Sequence, residues 1–348
     1  MKEKRLDFEI LRIIAIFLVV FNHTEHRGFS LYLLEGGSLI NDAVSLVLAI
    51  ICKIAVPLFF LVSGGLLLHK DELLRTVVWK RVLRMGIILV LFSGILYFFW
   101  CRWGYETAPG LKNFVTRVWS EGISEPYWYL YAYTALMLML PLLRPMVRGL
   151  SNTTFVYLFL LHVVYNGIAD PLGYMMGIGS LNGDLYLPLV EQTLFYFIMG
   201  YYLAHRFPWE LMTGKKLLGL VVPAILAVGA MFALTWDDVA RHGESTHFFM
   251  DSFLCFPVFA VYALVHQFTV KHPIRGRGAK LITTLGGCVF GTYLLEGILR
   301  RELLPLYNFL EPRIHVLPAC FIWVFAVVFC GFGITWCLKK IPVFKQLL

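Results

Sequence analysis

Long apolar runs alternate with short polar stretches along the chain. An α-helix rises about 1.5 Å per residue, so roughly 17 to 25 apolar residues cross the ~30 Å hydrocarbon core of a bilayer. Windows of that length predict ten membrane spans, at residues 6–23, 43–68, 82–100, 127–144, 154–169, 187–204, 217–235, 248–265, 283–299 and 316–338. The pattern therefore predicts an all-α integral membrane protein with about ten transmembrane helices.

The composition is also typical of a membrane protein. Hydrophobic residues make up 59% of the chain and charged residues 15%, whereas soluble domains contain about 25% charged residues. The mean hydropathy is +0.73. We interpret residues 1–348 as a single transmembrane domain and expect no soluble domain at either end. No small-residue cleavage site follows the first apolar run, which favours a retained first helix over a signal peptide.

The distribution of basic residues predicts the orientation. With the N-terminus inside, the inner loops hold 19 Lys and Arg residues and the outer loops hold 8. Cytoplasmic loops are enriched in these residues, so we expect both termini in the cytoplasm. The same bias accounts for the net charge of +8 without nucleic acid as a partner. The seven cysteines lack the spacing of a disulfide framework or a zinc site, and we expect no metal.

The first predicted helix carries an arginine and a histidine. Burying Arg12 at a helix centre costs about 2.5 to 3.5 kcal/mol on insertion scales, so it needs a functional or a pairing explanation. Arg12 and His23 are eleven residues apart, and steps of about 100° place both on one helix face, roughly 16 Å apart along the axis. Structural alternatives are an i, i+3 pair between Arg12 and Glu9, and an interfacial position for His23.

Other polar residues also fall inside the predicted spans. The orientation gives each a depth: Arg12, Ser63 and Arg84 in the cytoplasmic half, Lys53 near the middle, and His23, Glu191, Asp251 and Glu296 in the outer half. Cations at the inner end suit a phosphate-bearing donor from the cytoplasm, and a histidine above them suits proton abstraction near neutral pH. The arrangement predicts a central pore in which such a donor meets a hydroxyl acceptor.

Several of these features have structural explanations as well. Arg84 can snorkel to the cytoplasmic interface. The Gly64-Gly65 pair can mark a helix end, and Tyr127-Trp128-Tyr129 can belong to the interfacial aromatic belt. Lys53 lies too deep to snorkel easily, which favours a pore or a buried partner.

Five stretches of the chain, in order, form a recognisable set. They are Arg12-(ten residues)-His23, Lys53-Ile54-Ala55-Val56-Pro57-Leu58-Phe59-Phe60-Leu61-Val62-Ser63-Gly64, Lys80-Arg81-Val82-Leu83-Arg84, Tyr127-Trp128-Tyr129-Leu130 and Phe290-Gly291-Thr292-Tyr293-Leu294-Leu295. Together they resemble the motifs of the membrane acyltransferase-3 family, ten-helix enzymes that acylate bacterial surface carbohydrates. The matches span residues 5 to 300 or so in family order.

The resemblance implies a function and a set of roles. It implies transfer of an acyl group, expected to be acetyl, from cytoplasmic acyl-CoA (acetyl-CoA) to a hydroxyl of an extracytoplasmic sugar or cell-envelope glycan. The location would be the cytoplasmic (inner) membrane of a bacterium, in contact with membrane lipid. The resemblance implies His23 as general base, Arg12 to bind or align the donor, Lys53, Ser63 and Arg84 along the donor channel, and Trp128 as a wall for the acceptor. As separate hypotheses, we expect Glu296 or Glu191 to partner His23 in catalysis, and Tyr127 and Glu191 to contact the acceptor.

The chain also departs from the usual family pattern. Lys53 stands where arginine is more usual, which keeps the charge but loses the bidentate fork. Tyr127 and Tyr129 flank the tryptophan where His or Leu, and Phe, are typical. Glu296 stands where many members have histidine, which indicates either a different acceptor or a carboxylate that orients His23.

Alternative classes of function stay open at this level. A transporter or exporter of a polar or lipid-linked metabolite would also carry buried charges along its substrate path. A non-catalytic membrane module serving a partner is the third alternative. The sequence contains no Gly-X-Ser-X-Gly elbow, so it favours direct transfer over a covalent acyl-enzyme. The acceptor, the acyl chain and the oligomeric state are not determined by the sequence.

Overall fold

The computed structural model describes residues 5–33, 38–106 and 109–348. The fold is all-helical, with 81% helix and no β-strand among the described residues. The helices are α1 Leu6–Asn22, α2 Leu39–Cys52, α3 Ala55–Leu67, α4 Leu74–Val77, α5 Leu83–Trp103, α6 Leu111–Thr116, α7 Trp128–Gly149, α8 Asn152–His162, α9 Ala169–Met176, α10 Gln192–His205, α11 Gly214–His242, α12 Phe249–Ser252, α13 Cys255–Lys271, α14 Gly276–Glu302, α15 Leu304–Leu310, α16 Val316–Leu338 and α17 Pro342–Leu347.

Seven helical stretches in the described part of the chain are long and apolar enough to cross a membrane. They are Leu39–Leu67, Leu74–Trp103, Glu125–Gly149, Asn152–Met176, Gly214–His242, Gly276–Glu302 and Val316–Leu338. Each matches one predicted span. The other three predicted spans, 6–23, 187–204 and 248–265, correspond to α1, α10 and α13, with 17, 14 and 17 residues. The structure thus supports a multi-pass membrane protein, while ten crossings and their orientation stay predictions.

Helix α1 lies at the centre of the bundle. It contains neither Gly nor Pro, and it packs against α2, α3, α13, α14 and α16. Leu11, Ala15 and Ile16 are completely buried. The remaining side of α1, which includes Arg12 and ends next to His23, is consequently held in a fixed position relative to these five helices.

Helices α3 and α10 pack closely at two glycines. A Cβ at Gly64 would collide with the carbonyl oxygen of Phe197, and a Cβ at Gly200 would collide with the carbonyl oxygen of Leu61. Helix α3 continues past Gly64-Gly65 to Leu67, so the glycine pair does not end the helix. Its structural reason is the close backbone approach that only glycine allows.

Two helical stretches are interrupted near one another. Helix α2 ends at Cys52 and α3 begins at Ala55, and in the same way α12 ends at Ser252 and α13 begins at Cys255. In each case a proline, Pro57 or Pro257, occupies the first turn of the second helix, where its missing N–H is tolerated. Non-helical backbone inside a membrane is expected where it faces protein or a water-filled cavity.

Candidate active site

A cavity of about 970 Å³ lies between α1, α3, α5, α7 and α14. Arg12 and His23 both line it, at the beginning and the end of α1. Arg12 Nη1 lies 3.4 Å from Glu9 Oε2, and the Arg12 side chain remains 29% exposed. Pairing with Glu9 and facing the cavity are therefore compatible, because the i, i+3 pair holds Arg12 at the wall without burying it.

His23 contacts a buried carboxylate at one end of the cavity. Its Nδ1 lies 3.1 Å from Glu296 Oε1, an ion-pair distance without the angle of a hydrogen bond. Glu296 is 1% exposed and lies behind the imidazole, outside the cavity lining. Arg300 Nε lies 2.7 Å from Glu296 Oε2, and Arg300 Nη1 donates to the backbone carbonyl of His23. The Glu296 carboxylate thus lies between the His23 imidazole and the Arg300 guanidinium.

Arg300 was not among the site residues expected from the sequence. It follows the predicted span 283–299 directly, whereas α14 extends to Glu302 and carries both Glu296 and Arg300 on one face. The sequence feature that could have identified Arg300 is its i, i+4 spacing from Glu296, which places an acidic and a basic side chain about one helical turn apart.

Basic residues gather at the Arg12 end of the cavity. Lys80, Arg81, Arg84 and Lys339 line this part together with Arg12. Arg84 Nε and Nη2 donate to the Leu347 carbonyl at 3.2 and 2.9 Å, which is a neutral partner. Lys339 Nζ donates to the Gly287 carbonyl at 2.7 Å. Lys339 was missed by sequence reasoning because it lies some 300 residues from α1 in the chain.

Arg81 is neutralised by an acidic residue outside the spans. Arg81 Nη2 lies 2.6 Å from Glu72 Oε1, and Arg144 Nη2 lies 2.7 Å from Glu72 Oε2. Hydrogen bonds from Arg81 and Arg144 lower the pKa of Glu72 to about 2. Arg81 therefore has a structural partner, and the attraction for an anionic ligand depends more on Arg12 and Arg84.

The middle of the cavity is lined by aromatic and small polar residues. Ser63 and Tyr129 face it from α3 and α7, and Tyr293 faces it from α14. The rings of Tyr129 and Tyr293 meet edge to face, with centroids 5.5 Å apart. Trp128 also lines the cavity and is 48% exposed.

Two residues expected to bind the acceptor lie outside the cavity. Tyr127 is buried, and its hydroxyl donates to the Leu294 carbonyl at 2.8 Å, which ties the start of α7 to α14. Glu191 is exposed and precedes α10, while its neighbour Gln192 lines the cavity. Consecutive helical residues point about 100° apart, so Trp128 and Tyr129 face the cavity in place of Tyr127.

Lys53 and Asp251 approach each other across the two interrupted helices. Lys53 Nζ lies 3.6 Å from Asp251 Oδ2, and both side chains line the cavity. Asn22 lines it as well, and its Oδ1 is buried without a hydrogen-bond partner among the described residues. Within that part of the chain, no group of three or more His, Cys, Asp or Glu side chains is arranged to hold a metal ion.

Comparison with known proteins identifies a family for this chain. A family model, Acyl_transf_3, described as an acyltransferase domain, matches residues 5–338. No curated protein and no solved structure matches the chain. The matched region runs from just before α1 to the end of α16 and contains all the cavity-lining residues except Lys339 and Leu348. The resemblance seen in the sequence is thus confirmed, and the chain belongs to the acyltransferase-3 family.

Proposed function

We propose that this acyltransferase moves an acyl group, acetyl in the first instance, from cytoplasmic acyl-CoA to a hydroxyl of an extracytoplasmic sugar or envelope glycan. The observation that carries the proposal is a single cavity with basic residues at one end and the His23–Glu296 pair at the other. The excess of Lys and Arg in the inner loops supports an orientation with the Arg12 end facing the cytoplasm. The proposed location is the inner membrane of a bacterium.

The basic end suits the donor. Coenzyme A carries several phosphate charges, and arginine binds phosphate through paired N–H donors. Arg12 and Arg84 would take this role, with Lys80 and Lys339 beside them. Ser63, which is 8% exposed, lies along the path between this end and His23 and can donate to the pantetheine arm.

His23 would act as the general base. Its Nδ1 faces Glu296, which favours the tautomer with the proton on Nδ1 and leaves Nε2 to accept a proton. The acceptor hydroxyl would give its proton to Nε2 as its oxygen attacks the thioester carbonyl carbon. The C–S bond then breaks, and the departing thiolate takes the proton from the imidazolium, so the ester and free coenzyme A leave with His23 neutral again.

Asn22 can stabilise the oxyanion of this step. Its amide ends α1 directly before His23 and faces the cavity, and its buried oxygen has no hydrogen-bond partner among the described residues. Rotating the amide by 180° exchanges its oxygen and nitrogen positions. An amide N–H aimed into the cavity would then donate to the carbonyl oxygen as negative charge develops on it.

The test uses purified protein in nanodiscs with radiolabelled acyl-CoA and envelope extract. Because general-base catalysis contributes about 10² to 10⁴ in rate, His23→Ala is expected to lose nearly all transfer while still binding acyl-CoA. The matched control is His26→Ala, since His26 is exposed and close in sequence but does not line the cavity. Transfer by His23→Ala at the rate of the control would refute the assignment.

Transport is the second candidate, because charged residues line a cavity between apolar helices. Turnover distinguishes the two classes. A transferase consumes acyl-CoA in detergent, without any transmembrane gradient, whereas a transporter leaves the thioester intact. Intact acyl-CoA after incubation with envelope acceptor would therefore favour transport.

A further inference from the structure

The Lys53–Asp251 pair lies where two interrupted helices meet. Lys53 is the residue after α2, and Asp251 belongs to the short helix α12. Their side chains are 28% and 23% exposed, and both line the cavity. A pair buried in protein would only hold helices together, but this one keeps part of each charged group accessible to a ligand.

The pair has hydrogen-bonding capacity to spare. The distance from Nζ to Oδ2 is 3.6 Å, longer than a hydrogen bond, so the two groups attract by charge without satisfying each other. The ammonium has three donors and the carboxylate about four acceptor positions. The Phe29 ring lies 6.0 Å from Lys53 Nζ, so the ammonium also contacts an aromatic face.

The pair lies at the His23 end of the cavity. Phe29, beneath the ammonium, follows His23 by six residues and also lines the cavity. Asp251 follows α11 at the end away from the inner loop that contains Lys215. Lys53 was expected from the sequence to bind the donor, whereas this placement puts it with the acceptor.

From this geometry, and resting on the proposed transferase function, we infer that Lys53 and Asp251 bind a vicinal diol on a neutral sugar acceptor. One hydroxyl donates to the Asp251 carboxylate, and the oxygen of its neighbour accepts from the Lys53 ammonium. The half-exposed indole of Trp128 supplies an apolar face in the same cavity for the C–H side of the ring.

Charge at this end disfavours acidic sugars. Glu25, Glu125 and Asp251 line it. Arg27 Nη1 lies 3.6 Å from Glu25 Oε2, Lys53 Nζ lies 3.6 Å from Asp251 Oδ2, and Glu296 compensates Arg300, so among the described residues the negative charge in excess is that of Glu125. A uronic acid would bring a further carboxylate into this field and pay for its desolvation. The subsite should therefore select neutral glycosides over acidic ones.

The test compares methyl α-glucoside, methyl glucuronide and a deoxy glucoside lacking one diol hydroxyl, with the protein in nanodiscs. We expect Asp251→Asn to raise the KM and Kd for methyl α-glucoside about tenfold or more, as for loss of a charged hydrogen bond, with the KM for acyl-CoA unchanged. In Asp251→Asn, the affinity for methyl glucuronide divided by the affinity for methyl α-glucoside should rise by a similar factor over wild type. The deoxy glucoside should bind wild type weakly and be insensitive to Asp251→Asn.

Two further variants keep the result interpretable. Asp184→Asn is the matched control, because Asp184 is exposed and does not line the cavity. If Asp251→Asn leaves Lys53 unpaired and fails to fold, the double variant Lys53→Met/Asp251→Asn removes both charges and should fold with the same loss of selectivity. A raised KM for acyl-CoA with unchanged glycoside binding would overturn the inference and assign the pair to the donor.

Glycoside binding measured by calorimetry separates this inference from the proposed function. Wild type that binds neutral glycosides in a manner dependent on Asp251, yet consumes no acyl-CoA, would refute the transferase function and leave the subsite intact. Wild type that transfers acyl groups with equal preference for neutral and acidic glycosides would refute the subsite alone.

Discussion

Replacing Glu296 with glutamine tests whether the buried carboxylate serves His23. Glutamine has nearly the same shape but no charge, so the packing of α14 against α1 should survive. The substitution removes the negative charge 3.1 Å from His23 Nδ1 and leaves Arg300 beside the imidazole. Both changes oppose formation of the imidazolium that the proposed transfer step requires.

The distance sets the size of the lost attraction. Two unit charges 3.1 Å apart interact by about 5 kcal/mol at an effective dielectric constant of about 20. Since about 1.4 kcal/mol corresponds to a factor of ten in rate, loss of the whole attraction would lower kcat by about 10⁴. Arg300 Nε, 2.7 Å from Glu296 Oε2, already offsets part of the negative charge of the carboxylate. We therefore expect kcat to fall by a factor of about 10² to 10⁴.

The assay is single-turnover transfer from radiolabelled acyl-CoA in nanodiscs, with acyl-CoA binding measured in parallel. Glu302→Gln is the matched control, because Glu302 is on the same helix but exposed, where it accepts from Trp103 Nε1 at 3.0 Å. If the unpaired Arg300 prevents folding, Glu296→Gln/Arg300→Gln restores neutrality. A folded Glu296→Gln enzyme within threefold of wild type in kcat would refute the role of this carboxylate.

Other substitutions give independent checks. Asn22→Ala should lower kcat about 10²- to 10³-fold with little change in either KM, as for a lost oxyanion donor; an unchanged kcat would remove it from the mechanism. Gly64→Ala should cost about 1 to 3 kcal/mol by overpacking α3 against α10, whereas Gly86→Ala, with open space around its Cβ position, should not lower the thermal unfolding temperature. Tyr127→Phe should cost about 1 kcal/mol of stability and leave the acceptor KM unchanged. Because the pKa of Glu72 is lowered to about 2 when folded, its contribution to stability is complete above its ordinary pKa, 4.5, and is lost towards pH 2. The unfolding temperatures of Glu72→Gln and wild type should therefore differ at pH 7 and converge as the pH falls; a constant difference would contradict this linkage.

Local patterns carried much of the information about the helices. Apolar run length is a property of neighbouring residues, so each of the ten predicted spans coincides with a helical segment. Periodicity within one helix is equally local, which is why the expectation that Arg12 and His23 share a face agrees with the cavity lining. The Gly64-Gly65 pair shows the limit of this reasoning, since the need for glycine comes from the Phe197 carbonyl on another helix.

The sequence by itself determined the helical membrane class, the family and the first-helix pair Arg12 and His23, because composition, run length and helical spacing act over short stretches of chain. Only the tertiary structure decided which distant side chains meet. It placed Glu296 and Arg300 against His23, and Lys53 beside Asp251. It also showed that Tyr129 lines the cavity whereas Tyr127 does not. Those outcomes depend on how α1, α7, α12 and α14 pack, and packing joins residues that no local spacing relates.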